Sequence, residues 1–378
     1  MTLAVNISVT LPFFLTATVA VRLKDDLGFG ERGLGLLFAI WALGGALASP
    51  SMGRVAERLG PETSLRLVSV WAGSILILIG AFAQSWLSLA LFLLAAGLAQ
   101  TLMHSSSNLW FARVLDGRRV GLAFGIKQSG GPFAALCAGV AIPTLVISLG
   151  WRWTFVIFGA VGLAASLAVP RTGIRGSGRF APSREGDVAI RPLVVVAIGA
   201  GMGTAVSGAL TGFAVVAAVD HAGMGESLAG VIFAIGALCG IGARVGLGRL
   251  TDHVHGSLFG LAAGVLATGS IGFAFLATGS ATVFAVAIPF SFVTAWGWNG
   301  IFSQAVTNAN PKAPGAASGI TSVGSLTGVI IGPAAFGLLV DWSFAGAWLI
   351  GGVVCLLGGA TLVLGRSLMR RDASTDQP

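Results

Sequence analysis

The chain has 378 residues, 55% of them hydrophobic and only 10% charged, and its mean hydropathy is +0.90. A soluble domain carries about 25% charged residues, so water is excluded as the main solvent. The formal charge of +8 is scattered between hydrophobic segments without a dense basic cluster, which argues against a nucleic-acid binder and for membrane topology.

Inside a bilayer, unpaired backbone groups are costly, so spans must be helices or a closed barrel. Barrel strands alternate apolar and polar residues, whereas Leu67 to Phe82 is apolar on every side. Helices are expected at about 3 to 21, 33 to 52, 67 to 84, 86 to 112, 120 to 149 and 153 to 170. Six more are expected at about 192 to 219, 224 to 247, 257 to 277, 280 to 307, 314 to 340 and 344 to 365. The first apolar segment begins at Leu3 and reads as a span rather than a cleavable signal. Glycine recurs within these runs, 57 residues in all, where small residues let helix backbones approach closely. Cys137, Cys239 and Cys355 lie in apolar segments and show no metal-ligand spacing, so they read as buried thiols.

Two six-helix bundles are expected, residues 1–170 and 191–378, the second with a short tail. The segment 171–190, rich in Arg, Gly, Ser and Pro, reads as a basic cytoplasmic linker. With both termini cytoplasmic, seventeen Lys and Arg residues fall inside and four outside, with Lys127 left in the membrane. That asymmetry predicts a multi-pass protein of the cell inner membrane in this orientation. The halves also repeat each other. Gly53-Arg54-Val55-Ala56-Glu57-Arg58 matches Gly248-Arg249-Leu250-Thr251-Asp252-His253, and Gly121 to Gly130 matches Gly315 to Gly324 at nearly the same offset.

The Gly-x-x-x-acid-basic loop after the second span, repeated after the eighth, resembles the signature of the major facilitator superfamily. GLAFGIKQSGGP at Gly121 to Pro132 and GWRWTF at Gly150 to Phe155 look like the fifth and sixth helices of bacterial members. The resemblance implies an all-α membrane protein with twelve transmembrane helices in two pseudo-symmetric six-helix bundles, carrying solute by alternating access. It also implies that Gly53, Glu57, Arg58, Gly248 and Asp252 form a cytoplasmic gating motif, with Glu57 and Arg113 as a candidate pair. The chain departs from the family in having Glu57 where Asp is usual and Pro61-Glu62 where a basic cluster is usual.

No hydrolase, kinase or metalloprotease pattern occurs, and no Walker-type loop that would bind ATP. The chain therefore reads as a gradient-driven transporter rather than an enzyme, with neither cofactor nor metal. All fourteen acidic residues fall in or beside loops, which weakens a drug/proton exchanger built on a buried carboxylate. Lys127 is the conspicuous interior charge. It lies seven residues into the fifth span, about 10 Å along a helix, with the small residues Ala123, Gly130, Gly131 and Ala134 on its face. An anion that binds and leaves would account for it, and snorkelling to the interface is the structural alternative.

Arg244 is the second candidate. Ala243-Arg244 followed by Gly248 looks like the eighth-helix arginine that binds carboxylate in monocarboxylate carriers and oxalate/formate exchangers. A guanidinium can hold a carboxylate through two parallel hydrogen bonds, although a basic residue here also anchors a helix end. Gln100, His104, Ser107 and Asn108 share one face of the fourth span, and Asn6 and Thr10 lie four apart on the first. Asn299 and Ser303 are four apart on the tenth, beside Trp296 and Trp298. His104 has the chemistry of a coupling proton carrier or, equally, of a neutral imidazole bonded to another helix.

These residues predict a secondary active transporter of a small organic anion, a carboxylate by preference. A proton or a counter-anion would be its coupling partner and the lipid bilayer its surroundings, and no nucleic acid is involved. A lipophilic-compound efflux carrier of the same fold is the alternative.

Overall fold

The computed structural model describes residues 2–114, 129–167, 169, 190–251, 257–310 and 314–375. Among them the regular structure is entirely helical. In chain order the helices are α1 (Thr2–Thr18), α2 (Ala20–Leu27), α3 (Glu31–Leu59), α4 (Pro61–Phe82), α5 (Trp86–Val114) and α6 (Gly130–Ala141). A π-helical segment, Ile142–Val146, and a last turn, Ile147–Leu149, continue α6. There follow α7 (Trp151–Leu167), α8 (Ile190–Asp220), α9 (Glu226–Thr251) and α10 (Leu258–Leu276). The last three are α11 (Ala281–Ala309), α12 (Pro314–Val340) and α13 (Phe344–Thr375).

Ten stretches are long and apolar enough to cross a bilayer, the bent pair α1–α2 makes an eleventh, and the 17-residue α7 stands at the remaining expected position. Large apolar side chains that remain exposed, such as Leu47, Leu167 and Val286, suit helices whose outer faces meet lipid.

Two expectations change. The first span is not straight through residue 21: α1 stops at Thr18, and α2 leaves it at 70°. Beyond Ala20 the chain carries Arg22, Lys24, Asp25 and Asp26, charges that favour an interfacial course over continuation into hydrocarbon. Gly28, in the left-handed conformation at φ 67°, closes α2 by donating its N–H to the Lys24 carbonyl.

The signature segment Gly53 to Arg58 is also not a loop. It forms the last turns of α3, which ends at Leu59 before Gly60 (φ 81°). A 29-residue helix is about 44 Å long against a hydrocarbon core of about 30 Å, so its polar end can stand clear of the membrane without unwinding. Gly248 and Arg249 likewise end α9 in helical conformation. Lys127 and Asp252 lie outside the described residues, as does the Arg113 side chain.

The chain divides into two compact units. One comprises Met1–Ala181 together with Gly225–Ala234, and the other Pro182–Met224 together with Ile235–Pro378. The first turns of α9 therefore group with the first unit and its remainder with the second.

In the first unit, α1, α4 and α5 meet in a core that includes Val5, Val9, Leu65, Val68, Leu102 and Met103. Glycine sets how closely helices cross there. A Cβ on Gly73 would come within 2.8 Å of the Gly159 carbonyl, and one on Gly97 would overlap the Trp41 carbonyl of α3. In the second unit, Phe213, Phe336, Trp348 and Phe273 form a chain of ring contacts with centroids 5.0, 4.6 and 5.4 Å apart. These rings join α8, α12, α13 and α10 by the edge and tilted packing that aromatic quadrupoles prefer.

Candidate functional site

In the first unit, the polar residues of α5 engage one another along the helix. Gln100 Nε2 lies 2.9 Å from His104 Nε2, one turn on, and the Ser107 hydroxyl donates to the His104 carbonyl at 3.0 Å. If the Gln100 amide donates, His104 Nε2 is the acceptor and carries no proton, which fixes a neutral tautomer with Nδ1–H. Gln100 and His104 are half-buried and Asn108 is exposed.

On α1, Asn6 and Thr10 are buried. The Thr10 hydroxyl donates back to the Asn6 carbonyl at 2.7 Å, so its donor is already engaged. Gly130, at the start of α6, fits directly against Asn6, because a Cβ there would lie 2.6 Å from the Asn6 amide carbon. The sequence motif around Gly130 thus has a local purpose: it brings the backbone of α6 onto a buried amide.

In the second unit, Arg244 of α9 and Trp296 of α11 come together, the guanidinium carbon lying 5.7 Å from the ring centroid. That is within the range at which the ring quadrupole attracts a cation. Gly240, one turn earlier, keeps the approach open, since a Cβ would stand 3.0 Å from the indole. Phe292 holds the other side of Trp296 edge-on at 4.8 Å. Asn299 is half-buried one turn beyond Trp296.

Ser207 and Thr204 of α8 join helices. Ser207 donates to the Ala295 carbonyl at 2.6 Å and Thr204 to the Ser325 carbonyl at 2.8 Å. Trp298 is fully buried against Gly203.

The remaining candidates stand at helix ends. Glu57 is half-buried on α3, makes no ion pair among the described residues, and has Arg58 beside it in the open. Gly53 and Gly248 have open space where a side chain would begin.

Sequence reasoning missed a polar cluster around α2. Arg22 Nε donates to the Glu226 carboxylate at 2.8 Å, and its Nη1 donates to the Val146 carbonyl at 3.0 Å. The Trp151 indole donates to Asp26 at 2.6 Å. Arg152 donates to the Ala83 carbonyl at 3.0 Å and stacks 4.3 Å from the Trp151 ring. Only the charge of these residues was visible in the sequence, where they read as solvated loop positions.

A family model described as Major Facilitator Superfamily matches residues 2–326. The chain belongs to the major facilitator superfamily. It is 28% identical, over 166 residues, to a probable sulfoacetate transporter, SauU, of Cupriavidus necator; the match covers 43% of this chain and 36% of that protein. The chain thus spans about a third of that relative's length.

Among solved structures it resembles a bacterial homolog of the human lysosomal transporter Spinster, in an inward-facing and unoccupied conformation. The TM-score is 0.70 at 17% identity, with 97% of this chain and 95% of that one covered. It also resembles the nucleoside transporter NupG, with a TM-score of 0.74 at 14% identity and 96% and 99% covered. At these identities the likeness is one of fold: the major facilitator fold, all-helical and membrane-embedded.

Proposed function

We propose that this transporter carries a small organic anion, a carboxylate by preference, as a secondary active carrier working by alternating access. The observation that carries the reading is Arg244, a guanidinium within a membrane span, held against the face of Trp296 with glycine clearing the approach. A cation inside a span is costly, less so toward its end, where Arg244 stands five residues before Arg249, and ionisable residues in spans mark substrate and ion pathways. The planar fork offers paired donors to a carboxylate or to another oxyanion. The partial similarity to a protein named for transport of sulfoacetate, itself an organic anion, points the same way.

On this reading Lys127 contributes a second positive charge from the first half. Asn6, Gln100, His104, Asn108 and Asn299 supply polar contacts, and Thr10 stands one turn from Asn6. Coupling is by exchange against a second anion or by proton symport through His104. The chain lies in the inner membrane with both termini cytoplasmic, as two six-helix halves, 1–170 and 191–378, joined by the 171–190 linker. Glu57, Arg58, Arg113 and Asp252 act at the cytoplasmic ends of the spans.

Efflux of a lipophilic compound is favoured by one observation. An apolar cleft of about 670 Å³ opens among α8, α12 and α13, lined by Ile198, Met202, Ile331, Phe336 and Val354. Its lining is almost wholly hydrocarbon, the exception being Thr327, whose hydroxyl donates to the Val323 carbonyl at 2.9 Å, so it suits lipid contact better than a site of selection.

Counterflow in proteoliposomes separates the two readings. Labelled small carboxylates and sulfonates are expected to accumulate against an internal pool of the same anion. Efflux of lipophilic dyes with no anion accumulation would overturn the reading.

A further inference from the structure

The cleft among α8, α12 and α13 lies wholly within the second unit, and its ends carry features that its hydrocarbon walls lack. Its floor follows one face of α8, because Val194, Ile198, Met202 and Ala205 recur at helical spacing. One wall is α12 from Ile320 to Leu339, about 29 Å along a helix, which matches a hydrocarbon core of about 30 Å. The other wall is α13, between Ala347 and Val354. Glycine shapes the floor by letting α8 and α12 cross backbone to backbone: a Cβ on Gly328 would come within 2.0 Å of the Gly201 carbonyl, and one on Gly324 within 2.0 Å of the Ala197 carbonyl. The side chains beside this crossing stay open, Ile198 at 51% and Val323 at 66% exposure.

At one end stands Arg191, exposed, three residues before Val194 and so one turn beyond it on the same face of α8. It makes no ion pair among the described residues. At the other end Trp342, 88% exposed, follows Leu339 just past the end of α12, where an amphipathic indole suits a membrane surface. The cleft therefore runs from one interface to the other, with a cation at the end where α8 begins.

We propose that this cleft binds one anionic glycerophospholipid, its acyl tail seated along α8 and α12 and its phosphate held by Arg191. From Val194 to Ala205 the helix rises about 16 Å, close to the half-thickness of the hydrocarbon core, about 15 Å. A tail entering from the Arg191 end therefore fits within one leaflet. The walls supply contact area without direction, since no lining side chain carries a charge and the Thr327 hydroxyl is engaged by the Val323 carbonyl. Selection falls to the guanidinium, whose planar fork pairs two phosphate oxygens and which can rise to headgroup level on its apolar stem. A zwitterionic headgroup would bring its own ammonium beside that arginine, whereas an anionic one brings none. Neither Arg244 nor the transported solute enters this inference, and it stands or falls apart from the anion reading.

The test uses the full chain, purified in a neutral detergent and stripped of lipid. Dioleoyl phosphatidylglycerol or dioleoyl phosphatidylcholine, which share the same tails, is added back, and native mass spectrometry counts the lipid retained. The parent should retain phosphatidylglycerol about fivefold more strongly than Arg191→Ala does, the scale of one basic residue at a membrane surface. Retention of phosphatidylcholine should not change with that substitution. Ile198→Trp lays an indole over the floor from a position already open, and it should weaken both lipids while the melting temperature without lipid stays at the parent's.

Arg54→Ala removes an exposed arginine from the first unit and should leave retention of both lipids as in the parent. Equal retention of the two lipids by the parent would overturn the proposal, marking the cleft as a general apolar surface. So would an equal loss in Arg54→Ala and Arg191→Ala, which would mean attraction to any surface charge, or undiminished retention in Ile198→Trp. A parental dimer in place of bound lipid, dispersed by Ile198→Trp, would also overturn it by making a second copy of the chain the occupant.

Discussion

In the first unit, Arg22, Lys24, Asp26 and Arg152 gather around α2, where each meets an opposite charge, an indole N–H or a carbonyl. In the second, Arg244 lies within a span with an aromatic face at 5.7 Å. The first arrangement is a part-buried one in which every charge has a partner: a carboxylate, an ammonium, an indole N–H or a carbonyl. The second sets a cation in the last turns of an apolar span, where an indole and the small Gly240 adjoin it. A charge near a helix end can be explained by its neighbours. Arg244 stands nearer the end of its span, Glu226–Arg249, yet it faces an indole, whereas Arg22 faces a carboxylate and a carbonyl, and that difference is why Arg244 rather than Arg22 anchors the proposed solute site.

The largest effect should come from the interior cation. Arg244→Ala is expected to lower anion uptake about a hundredfold or more, since each charge-assisted hydrogen bond to a carboxylate is worth ~1.5–3 kcal/mol and two are lost. Arg244→Lys should recover only part of it, because an ammonium cannot reproduce the paired fork. Uptake at matched protein levels in proteoliposomes is the measurement, and an unchanged rate for Arg244→Ala would leave that residue a helix anchor like those around α2.

Next come the glycines, which sort by what faces them. Gly97→Leu drives a side chain into the Trp41 carbonyl, and overpacking of this kind costs ~1–3 kcal/mol or more. A marked drop in the detergent melting temperature is expected. Gly53→Ala, in the signature segment but facing open space, should leave the melting temperature unchanged or raise it slightly, since alanine favours helix by about 1 kcal/mol.

Trp296→Phe keeps a ring at this 7% exposed position but weakens the face beside Arg244, since indole is the strongest cation–π partner. A cation–π contact contributes ~0.5–2 kcal/mol, so apparent anion affinity should fall about three- to tenfold while the maximal rate changes less. The smallest effect belongs to the charge pair. Arg22→Gln should shift global thermal stability by no more than ~1 kcal/mol, and raising the salt concentration should erase that difference.

Much of the fold was legible because hydrophobic runs and loop charges report on it directly. Span positions follow from apolar stretches such as Leu258 to Leu276, whose boundaries lie within a few residues of those expected. The bend after Thr18 was missed because hydropathy averages over a window, whereas the turn is set by where Arg22, Lys24 and the two aspartates begin. The helical state of Gly53 to Arg58 was missed for a related reason: polar composition marks where a span leaves the membrane, not where its helix ends.

Within the candidate site, the i to i+4 spacing of Gln100 and His104 foretold their contact, since it follows from helix geometry alone. The Arg244–Trp296 approach joins residues fifty-two positions apart and depends on Gly240 being small, so no local pattern could reveal it. The same holds for Arg22 with Glu226, separated by 204 positions.

The central claim is that Arg244 serves a small organic anion, and equilibrium exchange across proteoliposomes tests it most directly. Purified protein loaded with an unlabelled small carboxylate or sulfonate should take up the same labelled anion from outside, and Arg244→Ala protein of equal monodispersity should not. Uptake that is absent in both, or equal in both, would contradict the account.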